Sequence, residues 1–222
     1  MHAPWLDIVR AFPRLAFEVL SELVAPTRCA ACDVRVKPRT LFCTSCMDSV
    51  LPHTSRSCRE HAIFAYGGAI AKAITRCKYD RRADLAPRLG EVMAASAESF
   101  AGRVDVVVSV PIHPKRLVER GFDQAALIAR PVAKRLAIAW RPRTLARTRD
   151  TPRQASLDRD ARATNVSAAF IVRAPEVVVG RRVLLVDDVR TTGATLSACA
   201  EVLRAAGAQA IVTMVLAERE WD

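Results

Sequence analysis

Aromatic side chains are scarce in this chain, at 5% of 222 residues. That weighs against a surface stacking many bases, because such surfaces depend on successive aromatic rings. An uninterrupted apolar run is missing as well, since Asp7, Arg10, Arg14, Glu18 and Glu22 interrupt the N-terminal segment. Signal peptides and membrane spans need such a run, so the sequence reads as a cytoplasmic protein with no membrane span. No internal repeat or low-complexity tract is present, which sets aside a repeat architecture. Acids are in the minority: 23 Asp and Glu face 34 Lys and Arg, giving a net charge of +11. A balance this basic suits a polyanionic partner, from nucleotides to nucleic acid, although an arginine-rich solvated surface explains the composition equally well.

The apolar share, 51%, is ample for a core, and the length suits one α/β domain plus a small appendage. Residues 1–25 carry apolar side chains at three- and four-residue intervals from Trp5 to Leu23, the pattern of an amphipathic helix. Seven cysteines make an odd count, and four fall in Cys29-Ala-Ala-Cys32 and Cys43-Thr-Ser-Cys46. Two such turns can complete a tetrahedral four-thiolate shell, so residues 26–61 read as a zinc-ribbon-like segment holding structural Zn2+. Cys58-Arg-Glu-His61 has the spacing of half a site, but nothing nearby supplies the other half. Cys77 and Cys199 fall in helical patterns and read as buried and inert.

From residue 62 to 222 the pattern becomes strand followed by helix. Ile63–Tyr66 is a short strand, and a helix follows Gly67-Gly68. Arg76, Lys78, Arg81 and Arg82 form a basic run, and a second helix extends from Asp84 to about Phe100. Val104–Val110 is a strong strand ending at Pro111–Arg116, ahead of a helix reaching about Leu136. Ala169–Val172 and Ala210–Leu216 read as further strands. Repeated βα units imply a parallel sheet, whose ligands sit beyond the carboxyl ends of the strands. Residues 141–165 contain seven arginines and few apolar anchors, which reads as a mobile cationic loop able to gate a phosphate site.

The most informative stretch is Val183-Leu-Leu-Val-Asp-Asp-Val-Arg-Thr-Thr-Gly-Ala-Thr195. Its apolar start reads as a strand buried on both faces, with Asp187 and Asp188 where that strand ends. Thr191, Thr192, Gly193, Ala194 and Thr195 form a small hydroxyl-rich turn into a helix over Leu196–Ala206. Strand, turn and helix in that order aim backbone N–H groups at a phosphate, while the acids can accept from sugar hydroxyls. The local chemistry is recognition of a sugar phosphate.

This stretch resembles the phosphoribosyl-pyrophosphate (PRPP) loop of type I phosphoribosyltransferases. With the two Cys-x-x-Cys pairs, Cys77-Lys-Tyr79, Val110-Pro111 with Arg116, Arg120-Gly-Phe-Asp-Gln124, Thr151 with Gln154, and Arg162 with Asn165-Val166, the chain is similar to the ComF/GntX family. The resemblance implies an α/β parallel-sheet phosphoribosyltransferase-like (PRTase) domain behind a zinc ribbon. It implies that Asp187 and Asp188 hold the ribose, Thr191–Thr195 hold the 5′-phosphate, and Lys115 or Arg116 meets pyrophosphate. The loop bearing Arg153 and Gln154 would close over the reacting centre, and Mg2+ would arrive with PRPP. Two roles follow from it: transfer of phosphoribosyl to a nitrogen nucleophile, or a non-catalytic accessory role in DNA uptake (competence). In the second role the protein senses PRPP or a nucleotide, or binds single-stranded DNA or the uptake machinery. The chain departs from the family at Asp123, where Asn is usual, and keeps only Cys58 of a second knuckle that many members carry. Prolines and His113 also stand after Val110, where many of the enzymes have a glycine-containing pyrophosphate turn.

Overall fold

The computed structural model describes residues 25–53, 60–149 and 169–219. The segment expected to form an N-terminal helix, Cys58, and the arginine-rich stretch from 150 to 168 with Arg153 and Gln154 lie outside the described residues. The elements run α1 (Thr44–Met47), β1 (Glu60–Ala65), α2 (Gly68–Tyr79), α3 (Leu85–Ser96), β2 (Val106–Ser109), α4 (Pro114–Arg120), α5 (Gln124–Leu136) and β3 (Ala139–Trp140). There follow β4 (Leu145–Arg147), β5 (Phe170–Val172), β6 (Arg182–Arg190), α6 (Ala194–Ala205) and β7 (Ala210–Glu218).

Five strands form a parallel sheet in the order β1-β7-β6-β2-β3. The core of β6, Val183–Val186, has no exposed surface on either face, as expected of a central strand covered on both sides. Alternation sends Leu184 and Val186 into one cluster with α2, α3 and α5, while Val183 and Leu185 join another with α6 and β5. From β2 the chain crosses to β3 on one side, and from β6 it crosses to β7 on the other. The seam between β2 and β6 is therefore the topological switch point, where open α/β sheets bind their ligands.

Two expectations need correction. The carboxylates do not mark the end of the central strand: β6 runs through Asp187 and Asp188 to Arg190, paired with β7 in register as far as Arg190–Glu218. The backbone pairing overrides the strand-ending tendency of the acids because β7 is equally long. The stretch that begins at Arg141 is not wholly loop either. Leu145–Arg147 pairs antiparallel with β5, and the Arg147 guanidinium lies 5.5 Å from the Phe170 ring centroid.

Helices α3 and α5 approach closely at Gly90. A Cβ added there would lie 2.6 Å from the Ile128 carbonyl oxygen and 3.0 Å from Pro131 Cγ. Because the clash is with backbone, relaxation requires moving a helix. Gly90→Ala is expected to cost about 1–3 kcal/mol, read as a fall in Tm of about 2–4 °C per kcal/mol. An unchanged Tm in a thermal melt would contradict this packing.

Candidate functional site

The site is built where β2 and β6 diverge. On β6 successive side chains alternate, so Asp187 and Asp188 leave opposite faces of the sheet. Asp188 turns toward α2, where Lys78 Nζ lies 2.6 Å from its Oδ2, with both side chains largely buried. Asp187 turns its Oδ1 back onto the Asp188 N–H at 2.8 Å. Asp187 is partly accessible at the sheet edge, yet crowded enough to lose much of its hydration. Burial first, and then the Asp188 charge, push its pKa well above the ordinary carboxylate range, with Lys78 opposing. Cys199, on the opposite side, is buried and its thiol is pushed up by burial and then by Asp187.

The strand gives way to the turn at Thr191. Gly193 adopts φ 77°, ψ −7° as the residue preceding α6, and the Ala194 N–H lies 3.5 Å from the Thr192 hydroxyl. A left-handed residue at this position favours glycine, and it opens the first-turn amides of a twelve-residue helix toward the sheet edge. Thr191 and Thr192 are exposed and Thr195 is half-buried. Just before the turn, Arg190 Nε donates to Glu218 Oε1 at 2.7 Å and its Nη1 donates to Glu60 Oε2 at 2.7 Å. Glu218 also lies 3.0 Å from the buried His53 Nε2.

A cleft of about 460 Å³ is lined by Lys78, Tyr79, Arg81, Arg116, Glu119 and Arg120. Four cations, of which Lys78 is paired with Asp188, stand against one acid in this lining, a charge balance that suits an anion. Of the two residues expected to meet pyrophosphate, Arg116 is in this lining and Lys115 is not. The Lys115 N–H instead donates to His113 Nδ1, which caps α4 with Pro114 in its first turn. The proline-rich segment is thus a helix start, and the cations come from that helix and from the end of α2. Asp123 caps α5 by accepting from the Ala126 N–H at 3.1 Å, a role asparagine fills equally well. Lys78, Arg81 and Arg120 were missed as site residues. The basic run across the end of α2 is plain in the sequence, but only the sheet topology brings it beside α4.

The second constellation is the cysteine knuckle. The four sulfur atoms of Cys29, Cys32, Cys43 and Cys46 lie within 4.8 Å of one another, and Cys32 and Cys43 are 3.6 Å apart. A tetrahedral zinc site requires sulfur separations of about 3.8 Å, so the donors fit. A Cys29 N–H to Val34 carbonyl bond of 2.8 Å and an Arg28–Arg35 bridge form the first turn, and α1 follows the second cysteine pair's first member. Burial opposes ionisation of Cys29, but N–H donors from Cys32, Cys43 and Ala31 bring its pKa down to about 6. Burial and the other thiols push Cys46 up to about 12. Without a cation the cluster holds its negative charge poorly, the situation a divalent metal relieves. His61 lies in β1 with its ring edge-on to Phe100 at 5.5 Å, a packing role.

The fold is that of a phosphoribosyltransferase, and a family model described as the phosphoribosyl transferase domain matches residues 123–221. The chain is 31% identical over 190 residues to the DNA utilization protein YhgH of Escherichia coli K12, covering 83% of this chain and 81% of that one. It is 26% identical over 184 residues to the competence protein ComFC of Streptococcus pneumoniae, covering 78% and 79% of the two chains. A solved glutamine PRPP amidotransferase from B. subtilis, complexed with ADP and GMP, aligns with 59% of this chain and 25% of its own, at 26% identity and TM-score 0.41. The chain belongs to the ComF family.

The raised pKa of Asp187 has a thermodynamic consequence. The unfolded chain loses this proton near pH 3.9, while the folded protein keeps it to higher pH. Folding therefore takes up a proton between those values, and stability falls as pH rises through them. Asp187→Asn is expected to raise Tm at pH values above the ordinary carboxylate range and to flatten its decline as pH rises, whereas Lys78→Met, which strands Asp188, costs about 3–5 kcal/mol. Melts of both variants across that pH range check this.

Proposed function

We propose that the chain binds Mg-PRPP at the seam between β2 and β6. The observation that carries this reading is the acid pair of β6 running directly into a left-handed glycine and a helix start, at the switch point of a parallel sheet. The first-turn amides of α6 and the hydroxyls of Thr191, Thr192 and Thr195 hold the 5′-phosphate, with Ala194 keeping the turn small. Asp187 and Asp188 accept from the ribose hydroxyls. Arg116, with Lys78, Arg81 and Arg120, receives pyrophosphate, and Lys115 at the start of α4 adds long-range attraction. Magnesium enters with the ligand, held mainly by phosphate oxygens and water. Arg153 and Gln154 are proposed to close over C1 from the arginine-rich segment.

A nitrogen nucleophile attacking C1 forms the C–N bond while the C1–O bond breaks, and the electron pair leaves with pyrophosphate. The residues contribute charge placement: cations receive the departing pyrophosphate, and the Asp188 carboxylate steadies the ribose as positive charge develops on it. The names of the relatives, DNA utilization protein and competence protein, favour a second reading in which the same site serves DNA uptake without turnover. In that reading the cationic cleft engages single-stranded DNA phosphates or the uptake machinery, or reports PRPP or nucleotide levels to it.

Titration calorimetry with Mg-PRPP is expected to show saturable one-site binding, weakened at least 100-fold (about 2.7 kcal/mol) by the double substitution Asp187→Asn, Asp188→Asn. No binding by the folded wild-type protein would refute the site. Pyrophosphate release on adding nitrogen bases would establish the transferase, and binding without release for every base favours the accessory role. DNA affinity that falls steeply with salt and survives the double substitution would place DNA outside the PRPP site.

A further inference from the structure

The knuckle is joined to the cleft by side chains that neither the sulfur cluster nor the phosphate turn requires. Asp33 follows Cys32 with φ 66°, a left-handed conformation for a residue with a side chain. Its Oδ1 accepts from Arg76 Nη2 and from Arg82 Nη1, each at 2.8 Å. Arg76 Nη1 also donates to the carbonyls of Cys29 and Ala30, each at 3.3 Å. Arg82 is fixed at its other end by Asp84, with bonds of 2.8 and 2.9 Å. On α3, Arg88 donates to the Arg28 carbonyl at 2.9 Å and the Thr40 carbonyl at 2.8 Å. Arg76 and Arg88 of the sheet domain thus grip the backbone that presents the cysteines, and Arg82 holds it through the Asp33 carboxylate.

Two of the three bracket the cleft. Between Arg76 and Arg82 lie Lys78, Tyr79 and Arg81, half of its lining, and Lys78 is the residue paired with Asp188. The segment from 76 to 82 therefore has one anchor in the knuckle and another at the acid pair. The few buried residues of the knuckle, Cys29, Ala30, Ala31 and Phe42, rest on the core beside α2 and α3, and the geometry of its turns depends on what ties the sulfurs together. Loosening them releases Asp33 from its left-handed position and removes the shared acceptor that spaces Arg76 from Arg82.

We propose that Asp33 couples metal occupancy of the four-cysteine cluster to anion occupancy of the cleft. A bound metal holds the 76–82 segment in its receptive shape, and a bound anion in return strengthens metal retention. This rests on the reading that the cleft takes the pyrophosphate end of PRPP. Coupling between two sites is reciprocal, so each ligand changes the other's affinity by one factor.

The test uses the full chain, zinc-loaded and zinc-stripped, titrated with inorganic pyrophosphate and with Mg-PRPP. Zinc removal is expected to weaken both by about fivefold or more, and saturating PRPP to tighten zinc against a competing chelator by the same factor. Asp33→Asn and Arg82→Gln leave the sulfur cluster intact, so they report on the coupling even where stripping unfolds the knuckle. Both are expected to keep zinc, lose affinity for the anion, and speed amide exchange over residues 76–84. Asp105→Asn, which breaks the ion pair with Arg182 away from this path, should change none of these. Equal anion affinity in loaded wild type and both loaded variants, with unchanged exchange, would overturn the coupling while leaving the site reading intact. A loaded wild-type protein that binds neither probe would overturn both.

Discussion

Two adjacent carboxylates on the central strand of a buried sheet are the constraint around which this molecule is arranged. Asp188 is 7% exposed, and a carboxylate in such a place is tolerated only when a cation meets it. Lys78 does so from α2 at 2.6 Å. That single ion pair requires α2 to end against the carboxyl edge of the sheet, which in turn brings Tyr79 and the basic residues after it beside α4. Asp187 meets no such cation among the described residues, and burial and the Asp188 charge push its pKa well above the ordinary carboxylate range. The protein therefore carries an unfavourable electrostatic arrangement at one edge, of the kind that marks functional sites.

The neighbouring contacts hold that edge in shape. Arg190, one residue before the phosphate turn, is tied to Glu218 on β7 and to Glu60 on β1, so three strands converge on the point where the turn begins. Gly68, at the start of α2, adopts φ 48°, and a Cβ there would meet the Ser49 carbonyl oxygen at 2.2 Å. The Ser49 hydroxyl in turn accepts from the Ala69 N–H at 3.0 Å. The residues following the cysteine knuckle are thus seated directly on the helix that carries Lys78, and the proposed ligand site and the four-cysteine cluster share one structural support.

Local patterns in the sequence carried much of this. Val183–Val186 is apolar on both faces because it is central, and the small Thr-Thr-Gly-Ala-Thr turn follows it where the left-handed Gly193 leads into α6. The paired Cys-x-x-Cys turns needed no tertiary knowledge, since each pair is local. What escaped was long-range. Strand β6 outruns its apolar core because its length is set by pairing with β7. Lys78 belongs to the site through an ion pair spanning over a hundred residues of chain. Arg81 and Arg120 reach one cleft only after the sheet order is known. Asp33 stands in no local pattern, and the role proposed for it depends on Arg76 and Arg82, two members of the basic run.

The central claim is that the acid pair and the turn after it together hold a phosphoribosyl group. A crystal structure of the zinc-loaded protein with Mg-PRPP tests it most directly. The account predicts the 5′-phosphate against the amides of Thr191–Thr195, the ribose hydroxyls within hydrogen-bonding distance of Asp187 and Asp188, and pyrophosphate among Lys78, Arg116 and Arg120. Ligand density anywhere else on the chain, with the turn vacant at saturating PRPP, would contradict it.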